Sequence, residues 1–182
     1  GPRPGAHLVS GGHAGYYQKD FKTTQEKIQN LLRLAPESYR GFELGGMAEL
    51  QLGSMVQAEA MLSKALQLNP GLAMARRGLV TTNIRLGRLD NAVALLPEEP
   101  KDGKDGNSDP ALLALAGQVH MLRGDIDRAQ RYFARASSLD PKDPAKRTSL
   151  ALSHLAAGQG DTAIGELQNI AESVTAKHTL FV

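Results

Sequence analysis

The clearest pattern along this chain is a set of small and apolar residues that recur together at long, nearly fixed intervals. Gly is followed five residues later by Ala at Gly53/Ala58, Gly87/Ala92, Gly124/Ala129 and Gly158/Ala163, and the glycines step by 34, 37 and 34 residues. Four residues after each Ala comes an apolar residue, Leu62, Leu96, Phe133 or Leu167, and three further on come Ala65, Glu99, Ala136 and Ile170. Spacings of three and four put these positions on one helical face. Ahead of the glycines, a second helical stretch carries Phe42 and Leu113 at an early large apolar slot. Gly46, Val80, Gly117 and Ala151 follow at a slot where a small residue lets two helices touch. The repeating unit is therefore predicted to be helix, tight turn, helix, with an apolar face that only a neighbouring copy can cover.

The punctuation agrees with this reading. Pro36, Pro70 and Pro141 stand in Ala-Pro, Asn-Pro and Asp-Pro pairs, where the ring blocks helix continuation and drives the preceding residue out of the α region. Each recurring Gly supplies a left-handed turn after the first helix, and Asp90, Asp127 and Asp161 fall in the first turn of the second, favourably placed against its dipole. The longer step of 37 is absorbed by extra residues in the polar run 101–107, which reads as an exposed loop.

A 34-residue helix-turn-helix period resembles that of the tetratricopeptide repeat. The resemblance implies an all-α fold, a right-handed superhelical solenoid of stacked antiparallel helix pairs. Repeats are expected at 37–71, 72–109 with an inserted loop at 101–109, 110–143 and 144–175. A degenerate first repeat at 15–36, mainly its second helix, keeps Asp20-Phe21, Ile28, Leu31 and Pro36 but has Lys19 and Thr24 where Gly and Ala are expected. Residues 1–14 are expected to be a flexible Gly-rich segment, with Gly1-Pro2 a tag remnant, because each of its glycines costs a helix about 1 kcal/mol relative to Ala. Residues 176–182 are expected to start the first helix of a further, truncated repeat. The repeat at 72–109 is degenerate, since Arg76 replaces the large apolar residue, Glu99 replaces the packing Ala, and Pro97 and Pro100 cut its second helix short.

Composition narrows the function more than the fold. A net charge of +2 leaves no basic tract able to neutralise many phosphates, so nucleic acid is not an expected partner. With no Cys in the chain, thiolate nucleophiles, disulfides and Cys-ligated zinc are excluded. No apolar run approaches the ~18 residues of a membrane-spanning helix. His120 and His154 occupy the same slot of successive repeats, but that slot normally holds a Tyr between helices, and no carboxylate cluster completes a metal site around them; His7, His13 and His178 lie near the ends. The Gly-rich stretch 9–15 lacks the Lys-Ser/Thr of a phosphate loop, and neither a nucleophile elbow nor an H-E-x-x-H motif occurs. No enzyme activity and no cofactor are expected.

The tetratricopeptide resemblance instead implies partner binding on the concave face lined by the first helix of each pair. Projected onto this chain, its groove slots are Arg40, Glu43 and Met47, then Arg77, Thr81 and Arg85, then Gln118, then Thr148. The three arginines could receive carboxylate or sulfate groups through planar bidentate bonds. The carboxylate clamp of some family members is disfavoured, because its Lys and Asn slots hold Glu43, Met47 and Gly78.

Within that family, the run Asp109-Pro-Ala-Leu-Leu-Ala-Leu-Ala-Gly-Gln, the stretch from Arg123-Gly-Asp through Tyr132-Phe-Ala-Arg-Ala, and Leu139-Asp-Pro-Lys-Asp-Pro-Ala are similar to the tetratricopeptide lipoprotein of PEP-CTERM/exosortase exopolysaccharide systems. This finer resemblance implies a scaffold in the envelope of a Gram-negative bacterium, at the periplasm or outer membrane, whose parent chain is lipid-anchored. The partner implied is a protein or peptide of the secretion or polysaccharide apparatus. An alternative function is a ligand-binding module holding an anionic peptide or anionic polysaccharide in the groove.

Overall fold

The computed structural model describes residues 11–100 and 109–179, and the side chains of residues 22–100 and 109–176. The described residues are helical throughout apart from turns and short connections: α1 (Gly11–Leu34), α2 (Tyr39–Leu52), α3 (Met55–Leu68), α4 (Ala73–Arg85), α5 (Leu89–Val93), α6 (Pro110–Leu122), α7 (Ile126–Leu139), α8 (Pro144–Ala156) and α9 (Gly160–Thr179). They form two compact units that divide within α4, one up to Thr82 and one from Asn83.

In the first unit α2 and α3 make an antiparallel pair, and α1 packs on α2. The turn between α2 and α3 works because Gly53 sits at φ 82°, where its N–H reaches back to Leu50 O. A side chain there would cost about 1 kcal/mol. The two helices approach so closely at Gly46 that a Cβ added there would lie 2.5 Å from Leu62 Cγ and 3.0 Å from the Leu62 backbone nitrogen. Leu62, Ala58 and Ala65 are fully buried in this seam.

The second unit repeats the arrangement in α6/α7 and α8/α9, with α7 packed on α8 and α5 against α6. Gly87, Gly124 and Gly158 take the same left-handed turn, at φ 71°, 78° and 78°. A Cβ on Gly117 would stand 2.6 Å from the Phe133 ring, so α6 and α7 meet at this position as α2 and α3 do at Gly46. Leu113, Ala116, Tyr132 and Ala136 form the buried core between α6 and α7, with Leu96 and Leu139 against it. Asp109 and Asp143 cap α6 and α8 through their side chains, and each is followed by Pro at the first helical position, where the missing N–H costs nothing.

Three expectations need correction. Residues 11–14 are not outside the fold but begin α1, a single helix of 24 residues that runs on to Leu34 through the segment assigned to the degenerate first repeat. At the other end, residues 176–179 do not open a new helix; they continue α9, which runs 20 residues without a break. Asp109, placed in the inserted loop, is the cap of α6. The remainder of that loop, residues 101–108, lies outside the described residues, as do residues 1–10 and His7 among them.

Candidate functional site

In the first unit, the expected groove residues mostly have intramolecular work. Arg40 is exposed and pairs with Glu43 through Nη1, 3.0 Å from Oε2, while lying over the Tyr39 ring. Glu43 is not a surface contact, contrary to expectation: it is 2% exposed, and its Oε1 accepts from the backbone N–H of Ala75, 3.2 Å away. Ala75 lies in the first turn of α4, whose preceding residue, Leu72, has no side-chain acceptor. The carboxylate from α2 therefore satisfies an N–H that α4 cannot satisfy itself. Met47 is half-buried over Gly78, whose Cβ, if present, would stand 2.6 Å from the sulfur. Arg77 donates through Nε to Ala73 O at 3.4 Å, and Thr81 donates its hydroxyl to Arg77 O at 2.9 Å.

In the second unit Arg85 is exposed at the end of α4. Gln118, exposed on α6, is an expected groove residue that lines a cavity. That cavity, of about 590 Å³, lies between the first helices of successive pairs: Ala111, Ala114, Leu115 and Gln118 from α6 face Ala145, Lys146 and Ser149 from α8, with Phe133 of α7 and the cap Asp143 completing it. It exists because both helices present short side chains where they face each other, and its size suits one or two side chains of a ligand. Thr148, half-buried on α8, neighbours the lining residue Ser149 without lining the cavity itself. Projection by period gave Gln118 and Thr148 on the two helices whose residues line this cavity. The signal it passed over was the run of small residues Ala111, Ala114, Ala145 and Ser149.

The charges around this cavity are arranged inward. Lys146 is only 13% exposed and donates to Asp140 Oδ2 at 3.0 Å and to Asp143 Oδ2. The hydrogen bond that Lys146 donates to Asp143, supported by the one to Asp140, raises its pKa above the ordinary lysine value despite partial burial. Conversely, the bonds from Lys146 and from the Ala145 backbone N–H hold the Asp143 carboxyl below its usual range. The Asp140 and Asp143 carboxylates keep 43% and 28% of their side-chain surface in solvent, so the outward charge here is acidic.

A second cavity, of about 250 Å³, lies beside the short helix α5, lined by Val93, Leu96, Pro97, Glu99, His120, Arg128 and Tyr132. Glu99 receives Arg128 Nε at 2.9 Å and also Arg131 Nε. Burial would raise the Glu99 pKa, but the bond and charge of Arg131 and the charge of Arg128 outweigh it and hold the carboxyl below its ordinary value. Tyr132 donates its hydroxyl to Pro97 O at 2.9 Å, and burial raises its pKa. His120 is buried and stacked on Tyr132, with ring centroids 5.3 Å apart at 9°. Its Nδ1 has no hydrogen-bond partner and lies 3.8 Å from Asp125 Oδ2. Desolvation lowers the His120 pKa despite the attraction of Asp125. His154, one repeat on, instead sits in a polar cluster, with Nδ1 2.5 Å from Gln159 Oε1 and 3.2 Å from Gln130 Nε2. No group of three or more His, Cys, Asp or Glu side chains suited to hold a metal occurs among the described residues. None of the described helices is long and apolar enough to cross a membrane.

Comparison with known proteins places this architecture. Residues 115–176 match the family model of the tetratricopeptide repeat. Among solved structures, MamA superposes with a TM-score of 0.72 at 18% identity, covering 95% of this chain and 99% of that one. BtubC from P. vanneervenii gives 0.75 at 18% identity, covering 90% of this chain and 76% of that one. YrrB, described as a tetratricopeptide protein with an unusual peptide-binding site, gives 0.62 at 16% identity over 92% and 87%. No curated protein matches the chain significantly in sequence. The fold is thus the tetratricopeptide one, an all-α solenoid of stacked antiparallel helix pairs. Repeats of this kind are characteristically non-catalytic scaffolds, and the chain carries no catalytic motif.

Proposed function

We propose that this chain is a non-catalytic protein-interaction scaffold that holds a partner segment in the cavity between α6 and α8. The observation that carries the reading is the cavity itself, about 590 Å³ and open between two first helices whose facing positions are mostly Ala and Ser. A space of this size, open to the surface of an interaction fold, is suited to receive side chains from outside. Its rim carries Gln118 and Ser149, which can bond an extended peptide backbone.

A finer reading places the scaffold in an exopolysaccharide export or protein-sorting apparatus of the PEP-CTERM type, on a lipid-anchored parent in a Gram-negative envelope. Its support is the sequence resemblance of the stretches Asp109–Gln118, Arg123–Ala136 and Leu139–Ala145. The alternative, an anionic peptide or polysaccharide held by Arg40, Arg77 and Arg85, has weaker support, since Arg40 pairs with Glu43 and Arg77 bonds its own helix.

The test is affinity capture from the native cell with three baits: the wild-type chain, a variant with the cavity filled by Ser149→Trp, and a variant with Arg40, Arg77 and Arg85 changed to Glu. Loss of a specific protein with Ser149→Trp alone supports the cavity reading, and recovery of envelope secretion proteins in that set supports the finer one. A partner list that survives Ser149→Trp but not the arginine changes would transfer the site to the arginines.

A further inference from the structure

In a repeat array each helix pair covers a face of the pair before it, so the residues that make this contact should recur one period on. Gln130 of α7 marks such a position: its Nε2 donates to Ser153 O of the next pair at 3.3 Å and stands 3.2 Å from His154 Nδ1. Gln118 of α6 marks another, lining the cavity against α8. Their counterparts 34 positions on, the step between Gly124 and Gly158, are Ile164 on α9 and Leu152 on α8. Ile164 is 54% exposed, Leu152 is 48% exposed, and Leu155, on the same side of α8, is 53% exposed. The face that α6 and α7 bury under α8 is therefore repeated by α8 and α9 in more apolar form, and among the described residues it is uncovered.

The flank of this face is acidic. Asp161, Ile164, Gln168 and Glu172 follow at spacings of three and four along one side of α9, and all four are exposed. Neither Asp161 nor Glu172 has a hydrogen-bond or ion-pair partner among the described residues. Glu166, on another side of α9, lies 3.7 Å from His154 Nε2. These three are the charged side chains of α9 as far as Ala176, with Lys177 following in sequence. Helix α1, in the other unit, has the complementary make-up. It packs on α2 through buried Ile28, while Lys27, Leu31 and Leu34, spaced by four and three, share a different side and are exposed, Leu34 at 78%. Its described charges are Lys22, Lys27 and Arg33 against Glu26, and Lys27 has no ion-pair partner among the described residues.

We propose that a second copy of this chain lays its α1 on the uncovered face of α8 and α9, with Leu31 and Leu34 against Leu152 and Ile164 and Lys27 toward Asp161 and Glu172. The α1 of one copy then stands to α9 of the other as α8 stands to α7 within the chain. This contact lies outside the α6–α8 cavity and goes beyond the scaffold reading. A symmetric contact between two α8/α9 faces would instead bring their acidic flanks together, and like charges across an interface discriminate against it. The contact is head-to-tail, so each copy in a pair keeps one face unused and association continues past the dimer unless the arrangement closes on itself.

The experiment is sedimentation equilibrium of the purified full chain over a hundredfold range of concentration, as wild type, as Leu34→Asp and as Ile164→Asp. Both side chains are exposed, so neither change empties a core, and circular dichroism would confirm that each variant is folded. The expected result is self-association of the wild type that weakens as salt rises, and that either variant weakens roughly tenfold or more by setting a carboxylate against an apolar surface. An equimolar mixture of the two variants should form a one-to-one complex, because one retains an intact α1 and the other an intact α8/α9 face. Lys27→Glu should weaken association in low salt and less so in high salt. A wild-type chain that stays monomeric, association indifferent to either Asp variant, or variants that fail to combine on mixing overturns the inference. Association removed by Ile164→Asp but untouched by Leu34→Asp overturns it too, in favour of a contact that does not use α1.

Discussion

Helices α5 and α7 occupy the same slot of successive repeats in the second unit, yet α5 has 5 residues and α7 has 14. Their sequences align through Ala92/Ala129 and Leu96/Phe133, so the apolar pattern alone would make both full helices. Pro97 decides otherwise: in a continuing helix its ring would clash with the carbonyl four residues back, that of Val93, and α5 ends at Val93. Beyond it Ala94 N–H still reaches Asp90 O, and the next bonds are short turns, from Leu95 N–H to Ala92 O and from Leu96 N–H to Val93 O. The consequence reaches Glu99. Its counterparts Ala65 and Ala136 are fully buried in their helices, where a carboxylate would be stranded. On the unwound segment Glu99 instead reaches Arg128 and Arg131 of α7, and Pro97 offers its carbonyl to Tyr132. The shorter helix is held by polar bonds to the longer one where other repeats use apolar packing.

The sharpest test of that contrast is truncation at the shared apolar slot. Phe133→Ala empties a position that is 5% exposed and packed against Gly117, and should cost about 3–5 kcal/mol by denaturant unfolding. Leu96→Ala, at the half-buried counterpart, should cost clearly less, and equal losses would dissolve the distinction. Removing one tie of the unwound segment, Tyr132→Phe should cost about 1 kcal/mol and speed amide exchange around 95–100. Glu99→Gln should cost about 0.2–1 kcal/mol in low salt and less in high salt, because its arginine partners are half exposed.

The smallest expected effect concerns pH and comes from His120. Burial keeps the folded His120 pKa below its ordinary 6.5, so the unfolded chain binds the proton more readily. Its contribution is complete above pH 6.5 and declines as pH falls from there toward the lowered folded value. The nearby Asp125 limits the loss, and Arg123 and Arg128 add to it. His120→Phe should remove this part of the pH dependence of the melting temperature. The Glu99 and Asp143 contributions are lost only at lower pH, as each carboxyl protonates below its ordinary 4.5 or 3.8.

Much of this architecture is written locally. The glycines at 53, 87, 124 and 158 each take the left-handed turn that their spacing predicts, because nearest-neighbour sterics suffice to select Gly there. Gly46 and Gly117 mark the close approaches of their helix pairs, and Asp90, Asp127 and Asp161 fall in first turns, since both follow from a fixed offset along one helix. The glycines of residues 11–15 show the limit of that reasoning: propensity counted them against a helix, and α1 includes them.

What the sequence alone determined, then, is the period, the turns and the apolar seams, all of which depend on residues a few positions apart. Tertiary structure decided the rest. It turned Glu43 from a groove residue into the cap of α4, 32 positions away, and sent Glu99 to arginines 29 and 32 positions on. It also opened the α6–α8 cavity from Ala and Ser residues that look unremarkable one helix at a time. The physical reason is common to all three: a backbone donor, a charge or a void acquires its meaning from whatever the neighbouring helix brings beside it, and no spacing within a single helix encodes that.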